Sequence, residues 1–286
     1  MDVKLRPGIP EDADACGRIC YEAFGAIARE HSFPPDVPAP EAGVGLLSML
    51  LGHPGFYSVV AELNGRVVGS NFLDERSTTI VGVGPVTVDP AVQDHGIGRA
   101  LMHDVLARAA DRGTPGIRLL QTAYHNRSLS LYANLGFQVR DLLACMQGTP
   151  PTGAVAGYRV RRATTADTDA CANVCRRIHG HDRTGELSDA IAQGTALVVE
   201  HDGRISGYAT DLAFFSHAVG ESNEDLKALI MAADAFAGPG ILVPTTNAEL
   251  FQWCLERGLR VVQLMTLMTI GLYTPPQGAY MPSILF

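Results

Sequence analysis

The stretch Val86-Thr87-Val88-Asp89-Pro90-Ala91-Val92-Gln93-Asp94-His95-Gly96-Ile97-Gly98-Arg99-Ala100-Leu101 combines residue types that can hold an anion. A β-branched run ends at Asp89-Pro90, a short loop follows, and Gly96 and Gly98 stand at the mouth of an apolar-periodic segment. The first N–H groups of a helix lack internal partners and point outward at the positive end of its dipole, which makes a phosphate site. Without side chains at 96 and 98, a diphosphate can approach the backbone closely. Arg99 either adds charge there or points to solvent, and a tight turn alone would also account for the two glycines. Other phosphate loops fit less well. A Walker loop ends in Gly-Lys-Ser/Thr, whereas Gly98 is followed by Arg99-Ala100. A dinucleotide fingerprint needs three glycines in one strand-to-helix turn, and Gly82-Val83-Gly84 precedes a strand instead.

The elements that must position this loop follow from periodicity. Val3 to Arg6 alternates as a strand, and Pro10-Glu11-Asp12 opens a helix with proline and acids in its first turn. Phe56 to Glu62 and Arg66 to Leu73 read as strands joined by Asn64-Gly65, a two-residue hairpin signal. Val83 to Val88 reads as the next strand. Ile97, Ala100, Leu101, Val105, Leu106 and Ala109 then mark one stripe of a helix. Gly116 to Thr122 is expected as a strand, Ser128 to Leu135 as a short helix, and Phe137 to Met146 as the last strand. The alternation predicts an α/β (α+β) fold, a mixed sheet covered by helices. Pro85 has no N–H for a sheet and belongs at a bulge or an edge.

The order then repeats. Leu5-Arg6, Asp12, Cys16 and Cys20 recur as Val160-Arg161, Asp167, Cys171 and Cys175. Ala61-Glu62-Leu63-Asn64-Gly65-Arg66 recurs as Val199-Glu200-His201-Asp202-Gly203-Arg204, and Asn126 through Gly136-Phe137 is echoed by Asn247 through Gly258-Leu259. Three matches in one order point to duplication. Pro150-Pro151 between Gly148 and Gly153 reads as the linker, giving domains over 1–149 and 155–286.

Gln93-Asp94-His95-Gly96-Ile97-Gly98 after a Val-x-Val strand resembles the Gln/Arg-x-x-Gly-x-Gly/Ala signature of the GNAT N-acetyltransferase superfamily. Asn126-Arg127-Ser128-Leu129-Ser130-Leu131-Tyr132-Ala133-Asn134-Leu135-Gly136-Phe137 resembles that family's second hallmark, Asn…Tyr-x-x-x-Gly-Phe. The resemblance covers roughly residues 3 to 147, and it implies two tandem GNAT-like domains, each a mostly antiparallel mixed sheet flanked by helices. It also implies acetyl-CoA as co-substrate, lying where neighbouring strands splay apart. The backbones of Val86, Thr87 and Val88 would meet the pantetheine arm as an added strand. The loop from Gln93 and Asp94 through His95, Gly96, Ile97, Gly98, Arg99 and Ala100 would hold the pyrophosphate. Asn126 would contact the cofactor, although the bare residue is equally a helix N-cap.

Acyl transfer to an amine needs a neutral nucleophile, a polarised carbonyl and a protonated leaving thiolate. By resemblance Tyr132 is the acid that protonates sulfur; as a bare residue it is a tyrosine packed against Leu129 and Leu135. The base is less legible, because many family members carry a glutamate on the strand read here as Val83–Val88, and this chain has none there. Asp74 and Glu75, at the end of the preceding strand, are the nearest carboxylates; Glu75 is taken as the candidate base. His31 and His53 are more remote candidates, His125 is read as orienting a loop, and the α-carboxylate of Phe286 is a further option. The missing glutamate leaves open an acyl-CoA-binding sensor without turnover.

In the second half the phosphate-loop position reads His217-Ala218-Val219-Gly220-Glu221-Ser222-Asn223-Glu224-Asp225-Leu226, with one glycine and several acids that would repel a diphosphate. Trp253 replaces the tyrosine, so this half is expected to shape substrate or stabilise the fold, as in other tandem GNAT proteins. The net charge of -8 argues against nucleic acid and mildly favours a cationic amine, whether small molecule or peptide. No apolar run spans a membrane, and Met1-Asp2-Val3-Lys4 does not begin a signal peptide, so a cytoplasmic protein is expected. Cys16/Cys20 and Cys171/Cys175 are spaced i, i+4, a pattern of helix packing rather than of a metal knuckle, and no metal is expected.

Overall fold

The computed structural model of the chain describes residues 3–285. These divide into two compact units, one built from residues up to Leu119 with Tyr124–Gly136, the other from Leu120–Ala123 with Phe137–Ile284.

The first unit runs β1 (Val3–Pro7), α1 (Ala13–Glu30), α2 (Pro40–Gly52), β2 (Phe56–Leu63), β3 (Arg66–Asp74), β4 (Ile80–Val83), β5 (Thr87–Val88), α3 (Ile97–Asp111), β6 (Gly116–Thr122) and α4 (Asn126–Asn134). The strands β1, β2 and β3 are antiparallel neighbours, and β4 joins antiparallel β3 to parallel β6. The β2–β3 turn places Asn64 and Gly65 at φ 53° and 77°, the paired positive angles of the hairpin that Asn-Gly favours. Val60, Phe72, Leu101, Met102 and Cys20 are fully buried, so the apolar stripes of α1 and α3 close on the sheet.

The second unit runs β7 (Gln138–Gln147), β8 (Tyr158–Arg162), α5 (Thr168–His179), α6 (Thr184–Gln193), β9 (Leu197–His201), β10 (Arg204–Ala209), β11 (Ala218–Gly220), α7 (Asn223–Met231), β12 (Ile241–Pro244), α8 (Ala248–Glu256), β13 (Arg260–Gly271) and β14 (Ala279–Met281). The strands β8, β9, β10, β11 and β14 form an antiparallel sheet. The last strand of the first half, β7, lies between β12 and β13, antiparallel to both, with Leu242↔Cys145 on one side and Met265↔Leu143 on the other.

Duplication is visible in matched ion pairs. Arg6 donates to Glu62 at 2.8 Å and to both Asp12 oxygens at 2.7 and 2.8 Å. Arg161 donates to Glu200 at 2.7 Å and to both Asp167 oxygens at 2.8 Å. The Thr164 N–H also donates to Asp167 at 2.8 Å, as the Ile9 N–H does to Asp12 at 3.0 Å. The Arg161 guanidinium, aided by Thr164, holds the Asp167 carboxyl well below the usual carboxylate range against the opposing effect of burial. A depressed folded value means that this stability is present above the unfolded value near pH 4 and is lost as pH falls towards the folded value. Asp167→Asn is therefore expected to lower the unfolding free energy by about 2 kcal/mol at pH 7. Urea denaturation at several pH values should show that difference shrinking below about pH 4.

All six cysteines are buried, and burial pushes the thiols of Cys16, Cys20 and Cys171 up to about 11, 12 and 12. They pack as small apolar groups. Among the described residues no group of His, Cys, Asp and Glu could hold a metal ion, and no helix is long and apolar enough to cross a membrane.

Candidate active site

The strand expected over Val83–Val88 is broken. Between the pairs Leu73↔Val83 and Ser70↔Thr87, β3 advances by three residues and its partner by four, so one residue bulges out. Gly84 absorbs it at φ 134° while its N–H donates to Phe72 at 3.0 Å, and Pro85 has no N–H to continue the ladder. Pairing of β4 with β6 ends at Gly82↔Arg118, whereas β5 is held by β3 through Gly69↔Val88. The bulge therefore turns the far edge of β5 into the wall of a groove.

That groove, a cavity of about 280 Å³, is lined on the β5 side by Val86, Thr87 and Val88. Its floor is the loop and helix start, Gln93, Asp94, Gly96, Ile97, Gly98 and Arg99. Ala23, Phe24 and Ile27 of α1 line it with apolar groups, and His125, the N-cap of α4, lines it together with Arg127, Ser128, Leu131 and Tyr132 of α4 itself. The loop is fixed from within. Gln93 donates through Nε2 to the Val88 carbonyl at 3.0 Å, and Asp94, at φ 66°, accepts from Arg127 at 2.6 Å. Gly96 is the N-cap of α3 at φ 81°, a left-handed angle that favours glycine, and no side chain caps the helix. The Ala100 N–H is committed to the Gly96 carbonyl at 3.0 Å, which leaves Ile97, Gly98 and Arg99 as the uncapped amides of the first turn. A Cβ on Gly98 would stand 3.7 Å from Val88 and 4.0 Å from Leu131, both of them groove residues.

Not every expected residue reaches the groove. His95 is exposed, with its ring Nδ1 against the Gln93 carbonyl at 2.7 Å. Asn126 lines a neighbouring cleft with Arg99, Arg127, Ser130 and Asn134, and the N-cap of α4 is His125 rather than Asn126. Tyr132 does line the groove, and burial pushes its hydroxyl up to about 12.

The structure does not bring Glu75 to the groove. Its carboxylate is gripped by Arg108 at 2.8 and 3.1 Å and by Arg112 at 3.2 Å, with the Glu75 side chain only 11% exposed. Asp74 is likewise taken by Arg76 at 2.9 Å. Because Glu75 is held by arginines and does not line the groove, Glu75→Gln is expected to leave turnover within about twofold of the parent, read in a steady-state assay. The His31 ring meets the Ile27 carbonyl at 3.0 Å, and the His53 ring accepts from the Gly55 N–H at 3.0 Å. Neither lines the groove, and Phe286 lies outside the described residues. Sequence reading missed Phe24 and Arg127 as groove residues and took His125 for a loop residue. The recurrence of 125, 128 and 132 at helical spacing was the available signal.

The second unit treats the same positions differently. At the start of α7, Ser222 and Asp225 form a reciprocal capping box, with the Ser222 N–H donating to Asp225 at 2.9 Å. The helix start that is bare in α3 is thus closed by an acid here. The strand β11, paired with β10 at Gly207↔Gly220 as β5 is with β3 at Gly69↔Val88, carries β14 on its other edge through Val219↔Tyr280.

The bulge, the bare glycine-bearing helix start and the tyrosine-bearing α4 thus line one groove. Residues 54–139 match the family model described as Acetyltransferase (GNAT) domain, and the chain carries a GNAT acetyltransferase domain. Over 92 residues it is 34% identical to a mycothiol acetyltransferase from Thermomonospora curvata, an overlap that covers 32% of this chain and 31% of that protein's length. Its fold is similar to that of a candidate acetyltransferase from Pyrococcus horikoshii, with TM-score 0.74 and 16% identity over 97% of this chain and 94% of the other. It is also similar to a tandem GNAT protein from the clavulanic acid biosynthesis pathway, with TM-score 0.58 and 13% identity over 94% and 98%.

Proposed function

We propose that this chain is an acetyl-CoA-dependent N-acetyltransferase with its working site in residues 1–149, and that residues 155–286 form a degenerate copy that shapes substrate or supports the fold. The observation that carries this reading is the convergence on one groove of uncapped amides at Ile97–Arg99, the β5 edge and Tyr132. The groove suits coenzyme A chemically, since amides and Arg99 answer phosphate charge and the β5 backbone answers an amide-bearing arm. Gly98 leaves the space that a side chain would fill. Acetyl-CoA supplies an activated acyl carbonyl as a thioester. Backbone amides at Val86 polarise that carbonyl, and Tyr132, still protonated at neutral pH, gives its proton to the departing sulfur. Asn126 and Arg127 flank the nucleotide end. The degenerate reading of the second copy draws on the self-capped α7 and on β14, which takes the strand edge an extended ligand would need.

The acceptor is a primary amine, and the net charge of -8 favours a cationic one. A screen of amines and peptide amines for release of free thiol from acetyl-CoA tests the reading. Turnover with at least one amine is expected. Binding of acetyl-CoA with no turnover across the panel would favour an acyl-CoA sensor instead.

A further inference from the structure

We propose that His125 is the general base of the transfer reaction, taking a proton from the acceptor ammonium at the α4 end of the groove. The inference rests on the transferase reading above and adds the group that reading lacks. The groove-lining residues able to exchange a proton or carry a charge are Asp94, Arg99, His125, Arg127 and Tyr132. A guanidinium has donors only and offers no atom to accept a proton. Asp94 is exposed and tied to Arg127 at 2.6 Å, and Tyr132 holds its proton up to about 12. His125 is the remaining groove-lining side chain of that set with a ring nitrogen that can take a proton. Its own titration is lowered, first by burial, then by the charges of Arg127 and His31, with Glu30 acting the other way. Those groups, with Asp94 and Arg99 of the loop and helix start and Tyr132 further along α4, are the charged and titratable side chains around it.

Geometry supports the role. The His125 backbone is pinned as the N-cap of α4, where its carbonyl accepts from Ser128 Oγ at 3.0 Å and from the Leu129 N–H at 3.2 Å. Among the described residues its imidazole forms no hydrogen bond. Seven residues at about 100° each return Tyr132 to nearly the same face of α4, two turns on, so base and acid line one wall. Apolar Ala23, Phe24 and Ile27 stand among the other lining residues and favour a neutral amine over an ammonium.

The protons balance. His125 takes one proton from the ammonium, and the amine nitrogen then bonds to the carbonyl carbon as the carbon–sulfur bond breaks. Tyr132 protonates the thiolate, and the second proton leaving nitrogen refills the tyrosinate. The proton on His125 passes to solvent as the net proton released.

The test is His125→Gln, with His125→Asn as a second variant, assayed with the best acceptor from the amine screen. At pH 7 kcat/KM should fall about 100-fold, while calorimetry gives a coenzyme A affinity within about twofold of the parent. The deficit should narrow as pH rises towards about 10, where amines such as lysine's deprotonate unaided. Independently of turnover, nitrogen-detected NMR of the coenzyme A complex should show the His125 ring neutral at pH 7. Undiminished turnover in both variants, or an imidazolium at pH 7, would overturn the proposal while leaving the transferase reading intact. Failure of the parent to bind coenzyme A, or to acetylate any amine, would overturn that reading and the base with it.

Discussion

Leucine in place of Gly98 is expected to raise the dissociation constant for coenzyme A at least about 100-fold, the loss of roughly two charge-assisted hydrogen bonds. Gly98 is the second residue of α3 and has an ordinary helical backbone, so leucine meets no conformational penalty there. Its Cβ would make normal contacts at 3.7 and 4.0 Å. The rest of the side chain would extend between Val88 and Leu131 and cover the amides of the first turn. The melting temperature should stay within about 2 °C, because the substituted side chain adds bulk to a groove rather than to the core. Weak binding by a folded protein, measured by calorimetry beside thermal unfolding, is the combination that implicates the loop. Unchanged affinity would place the nucleotide elsewhere.

Tyr132→Phe removes one oxygen and keeps the ring. Burial holds the Tyr132 hydroxyl proton up to about 12, so the group is a weak acid in bulk terms. In the proposed reaction it protonates a sulfur that would otherwise leave as a bare thiolate. Loss of general acid catalysis is expected to reduce kcat about 100-fold or more, with the KM for acetyl-CoA within about twofold, since the hydroxyl contributes to the transition state rather than to ground-state binding. Equal falls in affinity and turnover would instead mark Tyr132 as a packing residue.

Local chemistry was legible in the sequence where it depends on neighbours in the chain. The Asp89-Pro90 stop, Gly96 at the N-cap and the Asn64-Gly65 hairpin are each fixed by what a few adjacent residues can adopt sterically. The repeat was legible because Arg6/Asp12 and Arg161/Asp167 serve the same ion-pair geometry in both copies. Pro85 announced an irregularity, but its consequence, two short strands in place of one, depends on where along one edge of β3 each piece pairs, Leu73–Asp74 for β4 and Gly69–Ser70 for β5. Pairings across long separations were not legible. Glu75 looked available until Arg108, 33 residues on, closed over it, and β7 takes its neighbours from strands about a hundred residues later. The helical recurrence of 125, 128 and 132 could be read in the sequence, but that these residues line one groove with Ala23, Phe24 and Ile27 of α1 could not.

The central claim is that the first-turn amides of α3 grip the phosphates of coenzyme A. Backbone amide NMR during a coenzyme A titration measures this most directly. The account predicts one molecule per chain, with the largest shifts at Ile97, Gly98 and Arg99 and none comparable at Asn223–Asp225 of α7. Saturation without movement at Ile97–Arg99, or a second equivalent bound at α7, would contradict it.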